Sequence, residues 1–228
     1  MDVTPFVEGW GLLLSGLRGT LVAAALCLVV SLFVGVLLGS AHELRIGPLR
    51  AAIRFYVYFF RGTPVIVLLF LSYFGLPAMG LRLGALEAGV LAIGLNSSAH
   101  IVEVVRSSVQ SVDVEQHEAA AIDGAGPLRT LYSIIFPQAI ATMVAPTTNE
   151  LISVVKNTSL LAVISVAEVT RAGQLLAARY FTPFEVYFFL AAVYLILSSI
   201  LTRLSVLLER RVNFNLYRAS PPIKRDAR

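Results

Sequence analysis

The sequence predicts an all-α integral membrane domain of five transmembrane helices, with one short helix outside the bilayer between the third and fourth. Three observations carry this. The mean hydropathy is +0.80. Only 14% of the 228 residues are charged, against about 25% in a soluble domain. The apolar residues also gather into segments of about twenty, the length that crosses a hydrocarbon core of ~30 Å. Helices are the only choice for such segments, because an unclosed sheet in lipid leaves backbone groups without partners. The length fits one membrane domain over 1–228, with no room for a soluble catalytic domain.

The opening MDVTPFVEGW is acidic and lacks the basic start of a secretory signal, so no cleaved peptide is expected. The first span covers Thr20 to Ser40 and contains Cys27, the single cysteine, which reads as a small buried hydrophobe. The second runs from about Ile53 to Phe74 and is interrupted at Gly62, Thr63 and Pro64, where proline kinks the helix or starts a new one. The third covers about Leu86 to Val105, the fourth about Ile134 to Val155, and the fifth Phe184 to Leu208.

Five spans put the two termini on opposite sides. Arg45, Arg50 and Arg54 follow the first span, and Arg203, Arg210, Arg211, Arg218, Lys224, Arg225 and Arg228 crowd the last span's end and the basic tail 209–228. Only Arg82 follows the second span. The positive-inside rule therefore places the C-terminus in the cytoplasm and the N-terminus outside. It also explains the pI of about 9.5 without nucleic acid as a partner.

The segment from about 113 to 137, EQHEAAAIDGAGPLRTLYSIIFP at its core, then lies on the cytoplasmic side. Asp113 stands where an N-cap belongs, with Gln116 three residues later in the capping-box arrangement. Glu115 and Glu118 sit near the positive end of the helix dipole. Ala119, Ala120 and Ala121 are strong helix formers. Gly124 suits a left-handed C′ position, and Pro127 prevents continuation. Such a helix is a knob for another protein's groove, or else an ordinary loop helix.

Glu118-Ala119-Ala120, Gly124 six residues after the glutamate, then Ile134 and Pro137, resemble the EAA motif of ABC importer permeases. FRGTPVIVLLFLSYFGLP (60–77), HIVEVVRSSVQSV (100–112), FPQAIATMVAPTTNELISVVKNTSLLAVI (136–164) and LLERR (207–211) resemble the polar amino-acid permease branch, in order and over nearly the whole chain. The resemblance implies the type I importer permease fold and a role for Glu118, Ala119, Ala120, Asp123 and Gly124 in coupling to an ATPase. It further implies a dimer of ATPase subunits that hold the ATP and Mg, a second permease subunit (the same chain or another) and an extracytoplasmic solute-binding protein. The location implied is a bacterial inner membrane, with the chain embedded in lipid. Asp123, near a helix C-terminus, either meets a basic partner or is solvated.

Charges inside spans cost about 2.5 to 3.5 kcal/mol on insertion scales and face a bundle interior or polar pathway. Glu103 lies deep in the third span, Glu150 late in the fourth, and Lys156 where that span is expected to break into an unwound turn with Thr158 and Ser159. Broken helices near the midplane are where transporters bind solutes. A zwitterionic amino acid needs a cation for its carboxylate and an anion for its amine: Lys156, Thr158 and Ser159 offer the first, Glu103 or Glu150 the second. The alternative for Glu150 and Lys156 is a structural ion pair. His100, one turn from Glu103, joins the same face. Two acids around one lysine favour a substrate with an extra positive charge, a basic amino acid or opine. The resemblance points to the same region.

Arg61, beside the Gly62–Pro64 break, either shares its structural role or salt-bridges at the cytoplasmic boundary. Glu168, Arg171 and Arg179 fall in the outer connection and are expected to be solvated or to touch the solute-binding protein. His42, His100 and His117 show no metal-ligand spacing. A membrane-embedded enzyme would need HExxH, GxSxG or paired histidines, and a self-sufficient secondary transporter an inverted repeat; the sequence shows neither. It also lacks GxxxxGK[ST], so ATP hydrolysis belongs to a partner.

Overall fold

A computed structural model describes residues 4–44 and 46–219, apart from the side chains of 117, 121, 208 and 211–219. Arg45 and the tail 220–228, which carry part of the topology argument, lie outside the described residues, as do the side chains of His117 and Arg211. Every regular element among the described residues is helical: α1 (Thr4–Glu8), α2 (Trp10–Glu43), α3 (Gly47–Gly62), α4 (Val65–Phe70), α5 (Leu76–Ala78), α6 (Ala85–Gln110), α7 (Val114–Ile122), α8 (Pro127–Thr130), α9 (Phe136–Asn157), α10 (Val169–Tyr180) and α11 (Pro183–Ala219). Four helical stretches are long and apolar enough to cross a membrane, and a bent pair makes a fifth.

The first span is longer than expected, since α2 begins at Trp10 rather than near Thr20. Its buried face reads Gly16, Thr20, Ala23, Cys27, Ser31, Gly35 and Gly39, a small residue every three or four positions. Lipid is as apolar as leucine, so helices in a membrane gain little from hydrophobic burial and a great deal from close backbone approach. That approach is achieved here. A Cβ on Gly35 would lie 2.5 Å from the Ile101 Cβ, and one on Gly39 2.7 Å from the Val105 Cβ. Val29, Phe33 and Leu37 point away from this seam and are exposed.

The second span is a broken one. Helix α3 ends at Gly62, Pro64 serves as the N-cap of α4, and the two segments meet at 103°. Proline removes a donor and excludes a helical conformation from the residue before it. The Thr63 hydroxyl adds a second donor, over 2.8 Å, to the Phe59 carbonyl that the Thr63 amide already engages, and the carbonyl left open by Pro64 is that of Phe60. The Asn96 side-chain amide, on α6, donates to the Phe60 carbonyl over 2.6 Å. Tyr56 donates to the Leu95 carbonyl over 3.0 Å and pairs with Ser98. The polar triplet Asn96-Ser97-Ser98 inside an apolar span thus fastens α3 to α6. A π turn, Leu71–Gly75, leads from α4 into α5.

The fourth span starts earlier than expected. Helix α8 passes through a π turn, Leu131–Ile135, into α9. At its far end the expected unwound turn is instead a tightened one, a 3₁₀ helix over Thr158–Ile164 that ends at Ser165 with φ 64°. The reason is local. The Thr158 hydroxyl donates to the Val155 carbonyl and the Ser159 hydroxyl to the Lys156 carbonyl, each over 2.7 Å. These bonds hold the carbonyls that the changing register would otherwise leave open.

The connection between the fourth and fifth spans is a second departure. Glu168 is wholly buried, not solvated. It caps α10, accepting from the Thr170 and Arg171 backbone amides at 2.8 and 2.6 Å. Tyr194 of α11 donates to it as well. The apolar residues of α10, Val169, Ala172 and Leu176, pack with Leu13 of α2 and with Val186 and Leu190 of α11. Arg171 is half-buried and Arg179 exposed, stacked over the Tyr180 ring at 5.3 Å.

Candidate functional site

Two regions hold the residues singled out from the sequence. The first is the short helix α7. It is a helix because alanines fill its middle, and it stops where expected: Gly124 has φ 69°, a conformation that costs an L-residue roughly 1–2 kcal/mol. The Ala125 amide bonds to the Ala120 carbonyl over 2.9 Å, the long bond of a Schellman stop. At the start, the Gln116 amide bonds to the Asp113 carbonyl. The Gln116 side chain faces Gln138 instead of reaching back to Asp113. Ala120 is 2% exposed and seats the helix. Glu118, Ala119, Asp123 and Gly124 are exposed, with Ile122 86% and Val114 69% exposed. Asp123 makes no ion pair among the described residues. The result is a capped helix that presents an acid and apolar side chains outward. A groove of about 630 Å³ runs beside it, lined by Glu43, Leu44, Val109, Val114, Pro127 and Leu131 among others.

The second region lies on the face of α6 that meets α3. Here a recess of about 420 Å³ is lined by Arg54, Val57, Tyr58, Arg61, Gly62, His100 and Glu103. The Arg106 guanidinium donates to Glu103 Oε2 over 2.7 Å, one turn along the same helix. Arg61 approaches the same oxygen from α3 at 4.0 Å. Glu103 is therefore surrounded by positive charge, which the sequence count of acids and bases did not anticipate. Arg106 escaped notice because its role needs only a three-residue spacing within a span otherwise read for its glutamate.

The structure brings His100 and Glu103 together and leaves the other candidates elsewhere. Glu150 is half-buried and Lys156 exposed, and neither makes an ion pair among the described residues. The structural pairing considered for them is thus not formed. Thr158 is fully buried, and its hydroxyl and that of Ser159 are occupied by the preceding turn's carbonyls.

Comparison with known proteins gives a consistent result. The family described as the binding-protein-dependent transport system inner membrane component matches residues 31–214. The probable amino-acid ABC transporter permease protein YckA of Bacillus subtilis is 31% identical over 205 residues, 90% of this chain and 91% of YckA. The glutamine transport system permease protein GlnP of Escherichia coli (strain K12) is 34% identical over 203 residues, 88% of this chain and 93% of GlnP. Among solved structures, the crystal structure of an amino acid ABC transporter with histidines superposes with a TM-score of 0.85 at 32% identity. It covers 92% of this chain and 99% of that one. An inward-facing MetNI methionine ABC transporter shares the fold, with a TM-score of 0.70 at 22% identity, over 93% of this chain and 99% of that one.

Proposed function

The chain belongs to the family of binding-protein-dependent transport system inner membrane components, as an amino-acid ABC transporter permease subunit that is not itself an enzyme, and from that premise we propose that it carries polar amino acids into the cytoplasm. The observation that carries this is the exposed, glycine-stopped α7. Its Gly124 stop fixes the direction in which Glu118, Ala119 and Asp123 point. A helix so placed transmits a push from an ATPase that hydrolyses ATP with Mg on its own subunit. The remaining partners are a second permease subunit and an extracytoplasmic solute-binding protein, with the N-terminus outside and the C-terminus in the cytoplasm. Arg50 and Arg54, beside the α2–α3 turn, and Arg203 and Arg210, late in α11, support that orientation.

The substrate region proposed comprises Glu103, Glu150, Lys156, Thr158, Ser159 and His100. A lean toward basic amino acids or opines now rests on Glu150, since Arg106 and Arg61 already neutralise Glu103. The relatives' names include glutamine and L-cystine permeases, so uptake must be measured over a panel. The test is ATP-driven uptake of the twenty amino acids by the complete importer in proteoliposomes, with Gly124→Val beside wild type. A Cβ there meets no atom within 4 Å, so the cost is conformational and the helix is mis-aimed rather than expelled. Normal insertion with loss of both uptake and ATPase stimulation is expected. A Gly124→Val importer working at wild-type rate would reduce α7 to a loop helix.

A further inference from the structure

We propose that the outer end of α2 holds an anionic phospholipid, with its phosphate on the Arg18 guanidinium and acyl-chain carbons in the groove beside it. Between Trp10 and Ala41, Arg18 is the only charged residue of α2. It is exposed and makes no ion pair among the described residues. A cation on a spanning helix calls for a counter-charge or water. Its depth names the partner. The apolar run of α2 from Thr20 to Ser40 has the length of a hydrocarbon core. Arg18 precedes that run by about 3 Å along the helix axis, and the headgroup layer is about 5 to 7 Å deep. A long side chain at this level lays its stem on the apolar region and sets its charge among the phosphates.

A groove of about 480 Å³ opens beside it, within the range of small-molecule sites. Ser15, Arg18 and Val22 line it from α2, Leu86 from α6, and Val166 with Ala167 from the segment before α10. The groove is built without help from a ligand. Gly19 admits the Ala167 carbonyl, whose oxygen would lie 2.0 Å from a Cβ at that position. The Val169 amide donates to the Thr20 hydroxyl over 3.1 Å, and the Val166 amide to the Leu161 carbonyl over 3.2 Å. Arg18 is the only charged residue of the lining, and the nearby acids are engaged elsewhere. Glu168 caps α10, Glu8 accepts from Tyr180, and the Glu87 carboxylate lies over Gly84, 2.2 Å from where a Cβ would sit. The sign of the headgroup follows. A zwitterionic headgroup would bring an ammonium beside Arg18 with no acid in the lining to receive it. A headgroup whose only charge is its phosphate meets the guanidinium alone, and two parallel donors match two of its oxygens. The apolar side chains of Val22, Leu86 and Val166 then receive the carbons that a free phosphate lacks. The leaflet rests on the orientation proposed above; the site itself does not.

The test uses the permease–ATPase complex in phosphatidylethanolamine nanodiscs with a trace of photoactivatable phosphatidylglycerol, the cross-links being mapped by peptide mass spectrometry. Labelling of residues 15–22 is expected. Added phosphatidylglycerol should compete it away, whereas phosphatidylcholine, glycerol phosphate and inorganic phosphate should not. Arg18→Gln should lower the labelling at least about tenfold, the loss of one charge-assisted partner, and Arg18→Lys should restore part of it. Val22→Trp, which keeps the cation and fills the groove, should lower it as well. Labelling that phosphatidylcholine competes equally, or that survives Arg18→Gln, is ordinary lipid contact and overturns the proposal. Competition by inorganic phosphate equal to that of phosphatidylglycerol makes Arg18 a free-anion site and overturns the lipid. Unchanged labelling in Val22→Trp overturns the part given to the groove. Labelling abolished by adding the solute-binding protein makes this face a protein contact, which overturns the proposal too.

Discussion

The Tyr194 hydroxyl lies 3.0 Å from the Glu168 carboxylate and joins the last long helix to the start of α10. The same carboxylate receives the Thr170 and Arg171 amides and faces the Thr20 hydroxyl of α2 at 3.5 Å. The Thr20 hydroxyl in turn accepts from the Val169 amide over 3.1 Å. Three helices thus meet on one buried acid, at the end of the bundle opposite α7.

Removing that acid leaves buried donors without an acceptor. Glu168→Ala should lower stability by about 2 to 3 kcal/mol, the penalty for orphaned buried polar groups. Thermal unfolding of the purified complex reads this directly. An unchanged melting temperature would mean that the contacts around α10 do not need the carboxylate.

Burial also pushes the Glu168 carboxyl above its ordinary value, against the opposing pull of its hydrogen-bond donors. With the folded pKa raised, the folded state binds the proton more tightly, so stability is lost as pH rises through the folded value. Melting temperatures should therefore climb in the wild type as the pH is lowered toward the ordinary carboxyl range. In Glu168→Gln this component of the slope should vanish. Identical slopes in both proteins would place the pH dependence elsewhere.

The α2–α6 seam is intolerant of size. Gly35→Leu forces a side chain against Ile101 and the Ser98 carbonyl, whose nearest atoms would lie 2.5 and 2.9 Å from its Cβ. Overpacking of this kind costs about 1–3 kcal/mol, and lower yield of folded protein should accompany it. Gly11→Leu is the control, because a Cβ there meets nothing within 4 Å. Equal behaviour of the two variants would refute close packing at the seam.

Glu150 now carries the argument for a cationic substrate. Glu150→Gln should weaken uptake of basic amino acids by about 1 to 3 kcal/mol while sparing neutral ones. Uptake across the amino-acid panel settles it: losses shared equally by both classes would leave Glu150 structural and the lean toward basic substrates without support.

Periodicity and local chemistry alone determined a good deal. The length of the apolar segments set the spans to within one turn or a few, because a bilayer imposes its thickness on any helix that crosses it. Gly124, Pro127 and the alanines before them wrote the start and stop of α7, since capping depends on neighbours a few residues apart. Gly62-Thr63-Pro64 marked the break in the second span, for proline's constraint is carried by its own ring. Three things needed the tertiary structure. The 103° bend depends on what α4 packs against, not on the proline that permits it. Glu168 looked like a loop acid until Thr20 and Tyr194, 148 and 26 residues away, closed over it. And Glu103 counted as a spare negative charge although Arg106 stands one turn along its own helix; only folding added Arg61, from α3 at 4.0 Å. Net charge adds along a chain, but a site's electrostatics depend on which charges come within a few ångströms, and that distance is set only by packing.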